Sequence, residues 1–279
     1  MNQNYRMICS DLDQTLLMPD KTISPKTKDI LMRLVQEGIY VVPSTGRAFW
    51  SMPEDVMGFP GFHYAIVSNG AAVYDMEKKE ALISLTLPEE FAGQLFHFLK
   101  ERNEWVTYEC FIKGQAYTSQ SYFDDPAVFG IPGDRERNYV QSTRVPVPDI
   151  EAFVLEHAGE LDALDVIVLP EERQRVSDEI RSHFSGIYMT TSVSHLIEIS
   201  NEKAGKHKAM EALAENLGFT LKEVMAFGDG DNDSEMLQAA GLGVAVAAAS
   251  DLCKKAADVV IGESAEEAIA DYLVSLYLL

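Results

Sequence analysis

Short apolar runs with strand character occur near both ends of the chain. They lie at residues 7–10, 39–43, 64–67, 224–227, 243–246 and 258–261. Helical patterns separate most of them: one opens with Ser24 and Pro25 and closes at Gly38, and another spans 206–216. Strands that alternate with helices and are rich in Val, Ile and Ala predict a Rossmann-like α/β core, a parallel sheet covered on both faces.

The middle of the chain follows a different pattern. Alternating strand patterns at 105–111, 115–118 and 188–193 lie close together, and helical stretches at 88–103 and 170–183 interrupt them. Residues 121–147 are rich in Pro, Gly and charge, and we predict a loop there. The expected fold is therefore an α/β core domain, residues 1–82 and 200–279, with an inserted α+β domain, residues 83–199.

Composition narrows the possible partners. The 279 residues carry a formal net charge of -21, which disfavours binding to nucleic acid or to an anionic membrane. A small phosphorylated metabolite would also be repelled, unless its site supplies positive charge from Lys, Arg or a bound cation. Cys9, Cys110 and Cys253 fit neither a disulfide framework nor a zinc site. With no export signal or membrane span in view, we expect a cytoplasmic protein, and the oligomeric state stays open.

The first candidate site is the string DLDQT at 11–15, directly after the first predicted strand. In an extended segment residues two apart share a face, so Asp11 and Asp13 should point together from the carboxyl end of the strand, where open α/β sheets bind ligands. Adjacent carboxylates repel each other unless a cation lies between them or one is protonated, and either state suits a magnesium site with a nucleophile and a general acid. The alternative is a polar turn with two solvated aspartates.

Two further motifs offer groups for an anion. Thr45 and Gly46 follow the strand at 39–43, where a hydroxyl beside a glycine permits close backbone approach and Arg47 adds charge. Lys206 opens a helix, where a cation opposes the helix dipole, and a nearby anion would resolve that conflict. The structural alternatives are an ordinary strand-to-helix turn and a solvated surface lysine.

An acidic loop, GDGDND at 228–233, follows the strand at 224–227. Asn232, with Glu235 three residues on, can cap the next helix, which leaves the aspartates unexplained. An EF-hand loop is excluded because its sixth position would be Ser234 instead of glycine. All the motifs lie at strand ends or helix starts of one predicted sheet, so we expect them to converge on one crevice.

The order Asp-x-Asp-x-Thr, Thr-Gly-Arg, Lys and Gly-Asp-x-x-Asn-Asp resembles the haloacid dehalogenase-like (HAD) phosphatase superfamily. The long insertion before Lys206 resembles the type IIB cap of its Cof subfamily, which closes over the active site. The resemblance covers nearly the whole chain. It implies Mg²⁺-dependent hydrolysis of small phosphomonoesters, with sugar phosphates the leading class.

The resemblance also assigns roles to residues. Asp11 would be the nucleophile that forms an aspartyl-phosphate, and Asp13 the general acid and base. The implied phosphate or substrate ligands are Thr45, Gly46, Arg47, Lys206, Asn232 and, from a predicted hairpin turn, Asn69. The implied metal ligands are Asp11, Asp13 through its backbone carbonyl, Asp229 and Asp233.

One departure and two alternatives remain open. Many Cof-like proteins have Lys-Gly where this chain has Lys206 and His207, so Lys203 and Lys208 are fallback candidates for the active-site lysine. A phosphomutase or phosphotransferase would use the same nucleophile but pass the phosphoryl group to a sugar hydroxyl. A non-catalytic phosphometabolite sensor is the other alternative, although a mere anion binder gains nothing from two bare carboxylates.

Overall fold

The computed structural model describes residues 5–277, which divide into two compact units. The first unit comprises Met1–Gly46, Met52–Ile83 and Gly205–Leu279, and the second comprises Arg47–Ser51 and Ser84–Ala204. These bounds differ from the predicted ones in three places, the smallest of which is Ile83, a residue of the first unit. Residues 200–204 lie in the second unit, because a strand of its sheet runs through 201. Residues 47–51 also belong there, where Trp50 N–H donates to the carbonyl of Gly114 (2.9 Å).

The strands of the described residues, in chain order, are β1 (Met7–Ser10), β2 (Tyr40–Pro43), β3 (Tyr64–Val67), β4 (Ala72–Asp75), β5 (Glu80–Ser84), β6 (Thr107–Ile112), β7 (Gln115–Ser119), β8 (Val145–Val147), β9 (Leu161–Ile167), β10 (Ile187–Thr190), β11 (Leu196–Asn201), β12 (Val224–Gly228), β13 (Leu242–Ala245) and β14 (Val259–Val260). The helices are α1 (Pro25–Gln36), α2 (Glu54–Met57), α3 (Phe91–Glu101), α4 (Gln120–Asp124), α5 (Asp134–Thr143), α6 (Ile150–Glu156), α7 (Arg173–His183), α8 (Lys206–Asn216), α9 (Ser234–Ala239), α10 (Asp251–Ala256) and α11 (Ala268–Tyr277). Between residues 5 and 277, none of these helices has the length and apolar content that a membrane crossing requires.

The first unit is built on a parallel sheet with strand order β14-β13-β12-β1-β2. Strand β3 lies beside β2 through two parallel bridges and then turns back into β4, which starts a small antiparallel sheet. Each of the six strands predicted at the chain ends is present within one residue of its expected bounds. The side chains of β1 and β12, in the middle of the parallel sheet, are buried, as the apolar runs predict, whereas Val260 in the edge strand β14 is half exposed.

Local signals explain two helices of this unit. Ser24 caps α1 by accepting a hydrogen bond from Thr27 N–H (3.1 Å). Gly38, two residues after the end of α1, has φ of +86°, a left-handed conformation that suits glycine. Helix α8 occupies the predicted residues and packs Met210 and Leu213 into the core beneath the sheet. The direction of α8 places its first residue, Lys206, at the carboxyl end of the strands.

The second unit contains a six-stranded sheet with strand order β10-β11-β9-β6-β7-β8, antiparallel except between β7 and β8. Apolar side chains from the sheet and from α3, α6 and α7 form one core, including Leu95, Val154 and Ile180. In the register of β6, β9 and β11, Glu109 lies opposite Asp165, which lies opposite Glu198. Those three carboxylates are buried side by side on neighbouring strands.

The prediction of a loop at 121–147 is wrong. The segment contains α4, α5 and β8, and its apolar side chains Tyr122, Phe129 and Val140 form a buried cluster. Each element is short, and most of the residues in α5 are polar or charged, so no apolar periodicity stands out in the sequence. Capping by Ser119, whose hydroxyl accepts a hydrogen bond from Tyr122 N–H (3.3 Å), is a local signal that the composition concealed.

Candidate active site

Asp11 follows the last residue of β1 at the carboxyl end of the parallel sheet. Its N–H donates to the carbonyl of Phe227 in β12 (2.9 Å), which holds it between two strands, and its side chain is buried. Asp11 and Asp13 have extended backbone, with ψ of 159° and 126°, but they stand at the entrance to an irregular wide turn, Leu12–Leu16, in which Gln14 has φ of 63°. The carboxylate of Asp13 contacts Lys21 Nζ (2.5 Å) and does not join the group of carboxylates around Asp11.

Lys206 is completely buried and lies between two carboxylates. Its Nζ is 2.7 Å from Asp11 Oδ1 and 2.6 Å from Asp233 Oδ1. Burial alone would lower the pKa of Lys206, but these two carboxylates outweigh it and raise that pKa above its usual range. We expected an anion beside Lys206 at the start of α8, and the carboxylates of Asp11 and Asp233 supply this negative charge. The fallback candidates Lys203 and Lys208 are exposed.

A glycine also precedes this lysine instead of following it. Gly205 has φ +129°, a backbone conformation open to glycine and few other residues. It allows the chain to turn into α8 at Lys206. His207, which directly follows Lys206, is half-buried, with Nδ1 3.3 Å from a carboxylate oxygen of Glu235.

The acidic loop after β12 is organised by Asp233. One oxygen of Asp233 accepts the backbone N–H groups of Asp229 (3.0 Å) and Gly230 (2.9 Å), while the other accepts from Lys206. A Cβ on Gly228 would lie 2.4 Å from the Cβ of Asp233, so this close turn requires glycine. The predicted capping role of Asn232 is wrong, because α9 begins after Asp233 and its start has no side-chain cap.

Three of the four predicted metal ligands come together here. Asp11, Asp229 and Asp233 each offer a carboxylate oxygen, and these atoms lie within 4.8 Å of one another. Burial raises the pKa of Asp11 well above its usual range, against the opposing charge of Lys206 and with added repulsion from Asp233 and Asp229. Burial, followed by repulsion from Asp233, raises the pKa of Asp229 to about 6. Lys206 supplies one positive charge for these three carboxylates, and hard oxygen donors with negative charge left over fit a divalent cation. The side chain of Asp13 lies outside this group.

Thr45 and Asn69 adjoin the acidic loop through hydrogen bonds. Thr45 accepts from the N–H of Asn69 through its carbonyl (3.1 Å), and Asn69 Oδ1 accepts from Asn232 Nδ2 (2.9 Å). All three residues are buried, and Gly46, beside Thr45, is half-buried. Ser68 and Asn69 both have φ of 51°, a left-handed backbone that asparagine tolerates and that costs about 1–2 kcal/mol in a residue such as serine.

Arg47 lies in the second unit. Its Nη1 donates to the carbonyl of Ser51 (2.9 Å), and its guanidinium carbon lies 4.7 Å from the centre of the Tyr139 ring. These contacts hold the arginine against its own unit. The predicted contribution of Arg47 to phosphate binding stays a prediction.

Sequence reasoning missed two residues of this region. Thr15 donates from its buried hydroxyl to Asp229 Oδ1 (2.8 Å), although it stands in the DLDQT string that drew attention to Asp11. A threonine two residues after an acidic pair was the available signal. Lys21, which pairs with Asp13, has φ +68° in an irregular segment and carried no signal of this kind.

Comparison with known proteins identifies the family. The model of the haloacid dehalogenase-like hydrolases matches residues 8–273, and the chain belongs to that family. The pyridoxal phosphate phosphatase YbhA of Escherichia coli is 29% identical over 97% of this chain and 98% of its own length. The 5-amino-6-(5-phospho-D-ribitylamino)uracil phosphatase YwtE of Bacillus subtilis is 26% identical over 97% of this chain and 98% of its own length.

The solved structures agree in fold. A sugar phosphatase of HAD subclass IIB superposes with a TM-score of 0.76 at 19% identity, covering 98% of this chain and 100% of that one. The predicted fold class, an α/β parallel-sheet core with additional antiparallel sheet, is confirmed. The resemblance to Cof-type HAD phosphatases with a type IIB cap is confirmed, and with it the enzyme class, a HAD-like phosphoric monoester hydrolase.

Proposed function

We propose that this enzyme is a Mg²⁺-dependent phosphatase that hydrolyses small phosphomonoesters through an aspartyl-phosphate on Asp11. The observation that carries the proposal is the position of Asp11: its carboxylate lies 2.7 Å from Lys206 Nζ and within the group of three carboxylates. A nucleophile that attacks an anionic phosphoryl group needs neighbouring positive charge. In a protein with net charge -21, Lys206 and a bound cation supply it.

The reaction has two steps. An oxygen of Asp11 attacks phosphorus, the bond from phosphorus to the ester oxygen breaks, and Asp13 gives its proton to the leaving alkoxide. Asp13 then takes a proton from water, whose oxygen attacks the same phosphorus. Inorganic phosphate leaves and the Asp11 carboxylate is regenerated. The ion pair between Asp13 and Lys21 must open for Asp13 to carry this proton.

The other residues hold the reacting group. Lys206, Thr45 and Gly46 would bind phosphoryl oxygens, with Arg47 and Asn232 as further candidates. A Mg²⁺ ion held by Asp11, Asp229 and Asp233, with the backbone carbonyl of Asp13, would neutralise charge on the phosphoryl group. The hard oxygen donors and the raised pKa values of Asp11 and Asp229 support a divalent cation here.

The substrates we propose are small phosphorylated metabolites, of which sugar phosphates are the leading class. Two relatives are named for chemically different phosphomonoesters, pyridoxal phosphate and a ribitylaminouracil phosphate, which supports the class and leaves the member open. The acidic surface supports small metabolites over nucleic acid or membrane. Cys9, Cys110 and Cys253 are buried free thiols, in keeping with the reducing cytoplasm in which we expect the enzyme to act.

The test is phosphate release from a panel of phosphorylated metabolites, with and without Mg²⁺. Wild type should release phosphate only with the metal, and Asp11→Asn should release none. Asp75→Asn is the matched control: Asp75 accepts turn N–H groups in the same unit, an oxygen of Asn can do the same, and activity should match wild type. Release only when a sugar hydroxyl acceptor is added would favour the phosphotransferase, and no release with any compound would sink the proposal.

A further inference from the structure

The turn Ser68–Gly70, between β3 and β4, has an unusual backbone. Its three consecutive residues have φ of 51°, 51° and 87°, and all three are buried. Backbone of this kind at residues with a Cβ persists when contacts on all sides determine it. The contacts of this turn reach three segments that are distant from one another in the sequence.

The contacts of Asn69 and Gly70 join the turn to different parts of the site. The N–H of Asn69 donates to the carbonyl of Thr45 (3.1 Å), and its Oδ1 accepts from Asn232 Nδ2 (2.9 Å) in the acidic loop. A Cβ added to Gly70 would lie 2.3 Å from the carbonyl oxygen of Gly205 and 2.9 Å from the nitrogen of Lys206. The turn therefore packs directly against the peptide that starts α8.

We infer that Asn69 is a positioning residue, and that the turn Ser68–Gly70 sets the mutual positions of Thr45, Asn232 and the start of α8. The consequence for turnover rests on the proposed function, since these segments would hold the phosphoryl group and the metal. Asn69 acts through Asn232: its side-chain oxygen is used by that amide. Residue 69 must adopt left-handed backbone and offer an acceptor to Asn232, and asparagine can do both.

The test removes the side-chain amide of Asn69 and leaves its backbone conformation in place. Asn69→Gly removes the amide and relieves the left-handed backbone, so the variant should fold. We expect kcat to fall roughly tenfold, the effect of losing about one buried hydrogen bond, with a smaller change in KM. Lys79→Gly is the matched control, since Lys79 has φ of 57° in another turn of the same unit, and its kinetics should equal wild type.

Non-additivity gives the second readout. Asn232→Ala should lower kcat as well, and the double variant should be no slower than Asn232→Ala alone, because both changes break the same hydrogen bond. Wild-type kcat in Asn69→Gly, or fully additive losses in the double variant, would overturn the inference.

A crystal structure of Asn69→Gly provides a readout independent of turnover. The Asn232 side chain should shift from its wild-type position, and an unchanged position would overturn the inference even if the wild-type enzyme released no phosphate. Failure of turnover in wild type is a failure of the proposed function alone.

Discussion

The hydroxyl of Thr15 donates a hydrogen bond of 2.8 Å to Oδ1 of Asp229. This bond joins the wide turn after β1 to the acidic loop after β12, and Thr15 is 1% exposed. Because Asp229 belongs to the group of three close carboxylates, the threonine would orient a proposed metal ligand.

Thr15→Val keeps the size of the side chain and removes this donor. We expect the Mg²⁺ concentration for half-maximal activity to rise about tenfold or more, as for other groups that orient metal ligands. Thr22→Val is the control, because the Thr22 hydroxyl donates to Asp20 on the exposed surface (2.7 Å). Mg²⁺ titrations that coincide for wild type and Thr15→Val would refute this role.

Lys206→Met should abolish phosphatase activity and destabilise the metal-free protein by about 3–5 kcal/mol, because it leaves buried carboxylates without their cation. Denaturant unfolding in the presence of a chelator measures this loss. Lys203→Met, at an exposed lysine, should change stability by no more than about 0.5 kcal/mol. If the two variants are equally stable, the proposed balance of charges at Lys206 is wrong.

The second unit has its own buried ion pair. Arg144 donates to both oxygens of Glu109, at 3.0 and 2.7 Å. Arg144→Met would leave Glu109 buried beside Asp165, and we expect a loss of about 3–5 kcal/mol in denaturant unfolding. Replacing both partners, Arg144→Met with Glu109→Met, should restore most of this loss. A double variant as unstable as the single one would contradict the account.

The raised pKa of Asp165 predicts that the free energy of unfolding depends on pH. Burial, then the charges of Glu198 and Glu109, raise the pKa of Asp165 well above its usual range, against the opposing effect of Arg144. The folded protein therefore holds a proton that the unfolded chain releases near pH 4, so stability from this group is full below about pH 4 and falls as pH rises toward the folded pKa.

Asp165→Asn removes this titration. The variant should match wild type near pH 4 and be more stable above it, with the difference growing as pH increases. Urea unfolding at a series of pH values measures it, with Asp178→Asn on the exposed face of α7 as the control. A wild type that is more stable than Asp165→Asn at pH 8 would show that the Asp165 carboxylate is held ionised in the fold.

Much of the first unit follows from local sequence. Buried parallel strands such as β1 and β12 appear as uninterrupted apolar runs, and α8 has clear limits in Gly205 and Gly218. The helices in the segment 121–147 could not be predicted from local sequence. They are short, show no apolar periodicity, and are stabilised by packing in a buried cluster.

The candidate site was predictable in its charged residues and not in its supporting bonds. Asp11 was singled out because it stands beside a second carboxylate at a strand end, and Lys206 because it opens a helix, where a cation opposes the helix dipole. The bond between Asn69 and Asn232 joins residues 163 positions apart, and neither local pattern indicates the other. The grouping of Arg47 with the second unit likewise depends on contacts that no short sequence window contains.

The most direct test of the central claim is to identify the phosphorylated residue during turnover. Wild type is mixed with Mg²⁺ and its best phosphomonoester, quenched in acid within one turnover, digested and analysed by mass spectrometry. The account predicts one added phosphoryl group on Asp11 of the peptide that contains it, and none in Asp11→Asn. A phosphoryl group on a different residue, or phosphate release with no phosphorylated peptide at any time, would contradict it.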